Sequence, residues 1–152
     1  MFSLANMSPQ NTIIKLHAAD HQSFLRANHL LKQHGITIQQ ALVLHFLSEN
    51  RAHRINQKDI ELYLGISNPS VTSLMKTMVG KNLVRRLPDR SDARSYLLCL
   101  TDRGQLLQNC IVQAFSQLSQ ELTAGLTAEE CQQLHLLLDK IIQNLSSVDM
   151  NV

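Results

Sequence analysis

Apolar residues recur at two different spacings along this chain, and the spacing changes once, beyond its middle. A repeat of three to four residues is typical of helices with one buried face, and it predicts six helices, over residues 11–34, 38–49, 57–64, 68–81, 102–124 and 128–146. After the fourth helix, two short segments rich in Leu, Val and Tyr (83–88 and 95–100) enclose the charged stretch DRSDAR (89–94). That arrangement is typical of a β-hairpin with a charged turn. The sequence therefore predicts a mainly α-helical fold with one small β-hairpin.

Residues that favour helix ends stand at these boundaries. Thr37 with Gln40, and Thr127 with Glu130, have the spacing of a capping box, in which each side chain bonds the backbone N–H of the other residue. Other helices are predicted to start after Asn56, Ser67 and Thr101, and helices are predicted to end before Gly35, Gly65, Asn82 and Gly125. The end signals thus agree with the boundaries that the apolar spacing gives.

The two short central helices, 57–64 and 68–81, are joined through Gly65 in a way that is typical of a helix-turn-helix. The second of them has one apolar face, formed by Val71, Leu74, Met75 and Met78, and an opposite face of small polar side chains and one cation: Pro69, Ser70, Thr72, Ser73, Lys76 and Thr77. Small side chains let a helix approach the major groove, where hydroxyl groups can bond bases or phosphates. We interpret this face as a DNA-recognition surface; the alternative is an ordinary amphipathic helix with a polar outer face.

The hairpin turn adds a second candidate contact with DNA. Arg90 and Arg94 flank Asp92 in it, and a planar guanidinium can enter a narrow minor groove, where negative potential is concentrated. We expect Asp92 to orient Arg94 through a hydrogen-bonded pair, the alternative being an ordinary surface ion pair worth under about 1 kcal/mol. Arg85 and Arg86 lie on the first strand, and at least one of them is expected to face the DNA backbone or solvent.

The charge of the chain is concentrated in its central third. The 152 residues carry a formal net charge of +2, but residues 51–103 hold ten of the 14 basic residues against five acidic ones. The central segment is therefore basic and the remainder is acidic, which suggests a polyanionic partner for the centre. A solvated charged surface is the alternative interpretation.

Residues 56–104 resemble the MarR family of winged-helix repressors. The matching segments are LGISNPSVTSLMKTMVGKNLVRR (64–86) and PDRSDARSYLLCLTDRG (88–104), and the most specific part is the Asp92-Ala93-Arg94 step followed by Leu100-Thr101 and Gly104. Two positions depart from the family pattern. Asn82 stands where the family often has Gly, and Ser73 stands where a basic residue is common, which affects the base contacts that the resemblance implies.

The resemblance implies a single domain over residues 1–152, with a winged helix-turn-helix DNA-binding lobe at 37–100 and a helical dimerisation region at 11–35 and 102–147. It implies a homodimer that binds a palindromic operator in double-stranded DNA, acts as a repressor, and responds to a small aromatic or phenolic effector. The residues expected to contact DNA are Asn68, Ser70, Thr72, Ser73, Lys76, Arg86, Arg90, Asp92 and Arg94.

The effector site has weaker signals. His17, His21 and Phe24 on the first helix and His45 on the second are candidates to line the crevice that the resemblance places between the dimer helices and the DNA-binding lobe. His17 and His21 have the spacing of a metal-binding pair, but a site needs three or four converging ligands, so no metal site is predicted.

The first cysteine is Cys99, whereas the peroxide sensors of the family carry theirs on the first helix, so we expect buried structural thiols. A zinc- or redox-responsive regulator of the same fold is the alternative.

An enzyme and a protein-interaction module are the two other classes of protein to which such a chain could belong. The chain has no Gly-rich phosphate loop, HExxH or GxSxG motif and no convincing acid pair, so we expect no enzyme activity, no catalytic residue and no cofactor. A winged-helix module that contacts only proteins is a further alternative.

No apolar run is long enough to cross a bilayer, the N-terminus lacks the features of a secretory signal, and three cysteines without a CxxC motif argue against a disulfide framework. We therefore expect a cytoplasmic protein without a membrane partner.

Overall fold

The described part of the chain is helical apart from one hairpin, as predicted. A computed structural model of the protein describes residues 11–92 and 94–147. Its elements are, in chain order, α1 (Thr12–Leu31), a 3₁₀ turn (Lys32–His34), α2 (Ile38–Glu49), α3 (Gln57–Leu64), α4 (Asn68–Gly80), β1 (Val84–Pro88), β2 (Tyr96–Leu100), α5 (Asp102–Leu106), α6 (Gln108–Leu122) and α7 (Ala128–Ser146). None of the helices in the described part of the chain is long and apolar enough to cross a membrane.

Most helix ends form for the reasons that the sequence gives. Both predicted capping boxes are present, at the starts of α2 and α7, and Gly35 and Gly65 take the left-handed conformation that ends a helix without steric cost. Asn82 also has a positive φ of 56°, a conformation that asparagine tolerates after a helix. Ser67 precedes α4 but makes no side-chain cap; its hydroxyl lies 3.0 Å from the Ser70 hydroxyl instead.

The predicted helix over 102–124 is wrong in one respect, because it is interrupted at Leu107 and forms α5 and α6. The interruption has a side-chain cause. Gln108 is buried, and its side-chain amide donates to the carbonyl oxygens of Gly104 (3.2 Å) and Leu44 (3.3 Å). A side chain that enters the backbone ladder in this way bends or breaks a helix.

The described residues divide into two compact units, one ending at Leu118 and the other beginning at Ser119. The core of the first unit contains residues from α1, α2, the helix-turn-helix, the hairpin and α6; Leu31, Leu44, Ile60, Met75, Met78, Leu83 and Ile111 are its largest fully buried side chains. In the second unit α7 has no buried residue. The predicted single domain and its two lobes stay a prediction.

Candidate nucleic-acid interface

Packing against the core decides which face of α4 meets solvent. Gly65 (φ 63°) reverses the chain between α3 and α4, and Ile60 on α3 is fully buried with Val71, Met75 and Met78 on α4. Because this apolar face of α4 is fixed in the core, the opposite face is exposed. It carries the five α4 residues predicted to contact DNA: Asn68, Ser70, Thr72, Ser73 and Lys76.

The Thr72 hydroxyl is held in place by two neighbours. It accepts a hydrogen bond from Gln57 Nε2 (2.7 Å) and donates one to Asn68 Oδ1 (3.5 Å). Sequence reasoning missed Gln57, because its reach to Thr72 depends on how α3 crosses α4. A hydroxyl has two acceptor lone pairs, so Thr72 can still accept a further hydrogen bond from a base or a bridging water.

The wing, defined here as residues 84–100, is an antiparallel hairpin in which Val84 pairs with Leu100 and Pro88 with Tyr96. Arg85 and Arg86 are both exposed, which confirms the expectation for the first strand. The edge of β2 that does not pair with β1 contacts the segment before α3, since Leu98 N–H donates to the Ile55 carbonyl at 2.8 Å. The middle of the wing is therefore attached through the backbone to the segment that leads into α3.

The turn of the wing is closed by its own carboxylates. Asp92 Oδ1 accepts the main-chain N–H of Arg94 at 2.9 Å. This corrects our expectation of a side-chain pair, because the carboxylate fixes the backbone of Arg94 and not its guanidinium. The side chains of Arg90 and Arg94 are exposed and thus available to a ligand.

A residue from outside the wing forms an ion pair and a hydrogen bond with this turn. Arg54, which the sequence shows only within the polar stretch RAHR (51–54), forms an ion pair with the Asp89 carboxylate and donates to Ser91 Oγ at 2.8 Å. Ser91 also donates its main-chain N–H (2.8 Å) and its hydroxyl (2.7 Å) to Asp89. The two Ser91 bonds, and then Arg54, hold the pKa of the Asp89 carboxyl below its ordinary value.

A cleft between the helix-turn-helix and the wing brings several of the predicted residues together. Cations line it from both sides, and carboxylates lie among them. Its lining includes Lys58, Glu61 and Asn68 from the two helices, and Arg86, Asp92 and Arg94 from the wing.

The four candidate effector residues have separate surroundings. His17 and His21 stack on each other with ring centroids 6.3 Å apart, whereas His45 makes an edge contact with Phe115 at 5.7 Å. Phe24 lines a concavity at the junction of α1 and α2. The assignment of these four residues to one effector site stays a prediction.

The structure also bears on metal and thiol chemistry. Within residues 11–92 and 94–147, no group of three or more His, Cys, Asp or Glu side chains is arranged to hold a metal ion. Cys99, Cys110 and Cys131 are free thiols and partly exposed, which corrects the expectation that they are buried. Burial nevertheless raises the pKa of the Cys110 thiol, whereas a sensor thiol needs a lowered one.

Comparison with known proteins gives one consistent family. A model of the MarR family matches residues 34–95. The homoprotocatechuate degradative operon repressor of Escherichia coli is 31% identical over 113 residues, which cover 74% of this chain and 75% of that protein. The multiple antibiotic resistance protein MarR of Escherichia coli (strain K12) is 31% identical over 137 residues, covering 87% and 94% of the two chains.

Solved structures agree with the sequence matches. The crystal structure of MepR from S. aureus in complex with DNA superposes with a TM-score of 0.80 at 25% identity, and the match covers 91% of this chain and 99% of that one. The likeness extends over nearly the whole of both chains and includes a structure that was solved on DNA.

Proposed function

Because this chain belongs to the MarR family of DNA-binding transcription regulators, we propose that α4 and the wing together bind one operator in double-stranded DNA. The α4 face around Ser70, Thr72, Ser73 and Lys76 enters the major groove, where it reads base edges. Arg90 and Arg94 reach the neighbouring minor groove, where they read its width and potential more than its sequence.

The observation that carries this proposal is the cleft between the helix-turn-helix and the wing. Lys58 and Asn68 line it from the helices, and Arg86 and Arg94 line it from the wing. A phosphate strand that lies in this cleft has cations on both sides, and α4 and the wing turn then meet the two grooves beside it. Phosphate contacts of this kind fix the register of a protein on a duplex.

We also propose that the regulator acts as a homodimer on a palindromic site. The apolar residues of α7 are left uncovered in a single chain: Leu136, Leu137, Leu138, Ile142 and Leu145 are all exposed. A second copy of the chain would cover them, and a twofold dimer presents its two recognition helices about one DNA turn apart, ~34–36 Å. The operator would then share the symmetry of the protein.

The direction of regulation that we propose is repression, released by a small aromatic or phenolic effector. Support comes from one of the Escherichia coli relatives, the homoprotocatechuate degradative operon repressor; homoprotocatechuate is a phenolic acid. No residue of this chain is assigned to that effector beyond the four candidates His17, His21, Phe24 and His45.

A selection experiment tests the proposal without knowledge of the operator. The purified protein is mixed with duplexes of random sequence, bound duplexes are enriched over several rounds, and their affinity is measured by fluorescence anisotropy at several salt concentrations. We expect palindromic sites with half-sites about one turn apart and an affinity that falls steeply with salt. Failure to enrich any sequence, with no binding at low salt, would favour the module that contacts only proteins.

A further inference from the structure

The wing depends on the rest of the molecule for its position. An isolated two-stranded hairpin is at best marginally stable in water, and this one extends from its attachment at Ile55–Leu98 to a turn at residues 89–95. Backbone contact with the segment before α3 is made at the middle of the wing, through Leu98 at the centre of β2 and the bridge between Asn56 and Leu97. The turn that carries Arg90 and Arg94 needs another support to keep a fixed direction.

Arg54 provides that support. Its guanidinium forms an ion pair with Asp89 and donates to Ser91, so it contacts the wing turn from a position 35 residues earlier in the chain. The Asp89 side chain is only 10% exposed, and its main-chain N–H donates to the Ser95 carbonyl at 3.1 Å. Asp89 thus links Arg54 to both sides of the turn.

We propose that Arg54 is a positioning residue for the wing, which holds Arg90 and Arg94 where they reach the minor groove. The inference rests on the proposed DNA contact of the wing. It assigns to Arg54 an action through Asp89, and not a contact of its own with phosphate. These two roles make opposite predictions for a substitution of Asp89. If Arg54 positions the wing, Asp89 supports DNA binding; if Arg54 binds phosphate, the Asp89 carboxylate competes with phosphate for the guanidinium.

The substitution that separates the two roles is Asp89→Asn. Asparagine keeps an oxygen that can accept the Ser91 N–H, but it cannot form the ion pair with Arg54. If Arg54 bound phosphate, removing a negative charge beside it would strengthen DNA binding. Because Arg54 positions the wing, we expect Asp89→Asn to weaken DNA binding by about fivefold, the upper range for a surface ion pair.

The chain offers a matched control for Arg54→Ala in Arg51→Ala. Both arginines lie in the same segment and both substitutions remove one positive charge, but Arg51 bonds Ser48 and Gln105 and not the wing. We expect Arg54→Ala to weaken binding like Asp89→Asn, Arg54→Lys to restore part of the affinity, and Arg51→Ala to have the smaller effect. Combined with Arg90→Ala and Arg94→Ala, Arg54→Ala should add little, since both contacts that it positions are then absent.

A measurement on the free protein keeps the inference separate from the proposed function. We expect hydrogen exchange of the amides at residues 89–95 to speed up in Arg54→Ala and in Asp89→Asn, and to be unchanged in Arg51→Ala. A wild-type protein that binds no DNA would overturn the proposed function. The positioning role is overturned if the wild type binds DNA while Asp89→Asn binds more tightly, or if exchange in the wing turn is the same in all variants.

Discussion

Gly104 shows how one missing side chain lets α5 lie against the hairpin. A β-carbon built at this position would lie 2.2 Å from the carbonyl oxygen of Leu83 and 3.2 Å from Leu44 Cδ2. The same Leu83 carbonyl accepts the Thr101 N–H at 3.2 Å, so it cannot move away without loss of that bond. Residue 104 in α5 can therefore lie this close to Leu83, just before β1, only if it is glycine.

We expect Gly104→Ala to destabilise the protein by about 1–3 kcal/mol, because the backbone must shift to relieve the overlap. Gly80→Ala is the control, since a β-carbon at Gly80 meets nothing within 4 Å. Gly80 lies at the end of a helix, where alanine is favoured by up to about 1 kcal/mol. Urea denaturation measures both variants, and a Gly104→Ala protein as stable as the wild type would contradict the close approach.

We expect the titration of Asp89 to determine how the wing turn responds to pH. Hydrogen bonds from Ser91, and then the charge of Arg54, lower the pKa of its carboxyl. A carboxyl whose folded pKa is lowered stabilises the folded turn at pH values above its ordinary value of about 3.9, and this contribution is lost as the pH falls through the lowered value. We expect the turn to keep its structure at neutral pH and to loosen only below the ordinary aspartate range.

An NMR titration of the Asp89 carboxyl carbon tests this expectation. Ser91→Ala removes the hydroxyl donor but keeps the main-chain N–H, so the midpoint should move part of the way back towards the ordinary aspartate value. A wild-type midpoint at or above about 3.9 would contradict the role of the Ser91 and Arg54 contacts.

At the scale of the elements, α4 and the wing are expected to contribute differently to DNA binding. Thr72 on α4 faces the major groove in our proposal. Thr72→Ala should therefore change the ratio of affinities for alternative base pairs at one operator position by about tenfold. Arg94 on the wing should act on all sequences alike, so Arg94→Ala should weaken every duplex and lower the salt slope by about one.

Anisotropy titrations with a set of single-base operator variants separate these two effects. Thr123→Ala is the matched control for Thr72→Ala, because its hydroxyl donates to a backbone carbonyl in another helix, that of Ser119 at 2.9 Å. Uniform weakening by Thr72→Ala, or a change of base preference by Arg94→Ala, would reverse the assignment of the two elements.

The elements themselves could be predicted where their causes are local. Thr37 with Gln40 form a capping box three residues apart, and the left-handed Asn82 ends α4 through its own backbone preference. What could not be predicted depends on contacts between distant residues. The break at Leu107 accompanies the burial of Gln108, whose side-chain amide bonds Leu44 as well as Gly104. The ion pair of Arg54 with Asp89 joins residues 35 positions apart. Neither long-range pair has a sequence spacing that identifies it.

The candidate interface also contains residues that could be predicted from local patterns and residues that could not. The exposed polar face of α4 follows from its apolar spacing, which explains why residues such as Ser70, Thr72 and Lys76 could be chosen from the sequence. Gln57 and Arg54 could not be chosen, because they act by reaching other side chains from neighbouring elements. Their signals become visible only when the crossing of α3 with α4 and the direction of the wing are known.

At the scale of the whole molecule, the uncovered face of α7 determines the expected oligomer. Leu138, Ile142 and Leu145 follow one helical stripe, and Ile142 and Leu145 are 60% and 67% exposed. We expect the 17.2 kDa chain to elute with twice its mass in gel filtration with light scattering. Ile142→Asp should shift it to the monomer and, because two linked half-site contacts are lost, weaken operator binding by about a hundredfold or more.

Gln143→Asp is the control for this experiment, since it places the same charge one residue along the helix and off the stripe. It should leave the mass and the affinity close to those of the wild type. A wild-type protein that elutes as a monomer at all concentrations would contradict the homodimer.

The bond between Gln57 and Thr72 has a consequence for how such a regulator can diverge. Gln57 lies on α3, outside the helix that we propose to read the bases, yet it donates to a hydroxyl that we expect to read one of them. Two descendants of this protein with identical α4 sequences could therefore prefer different operators after a change at position 57 alone. A gene duplicate could acquire its own target in this way while every side chain that touches DNA is inherited unchanged.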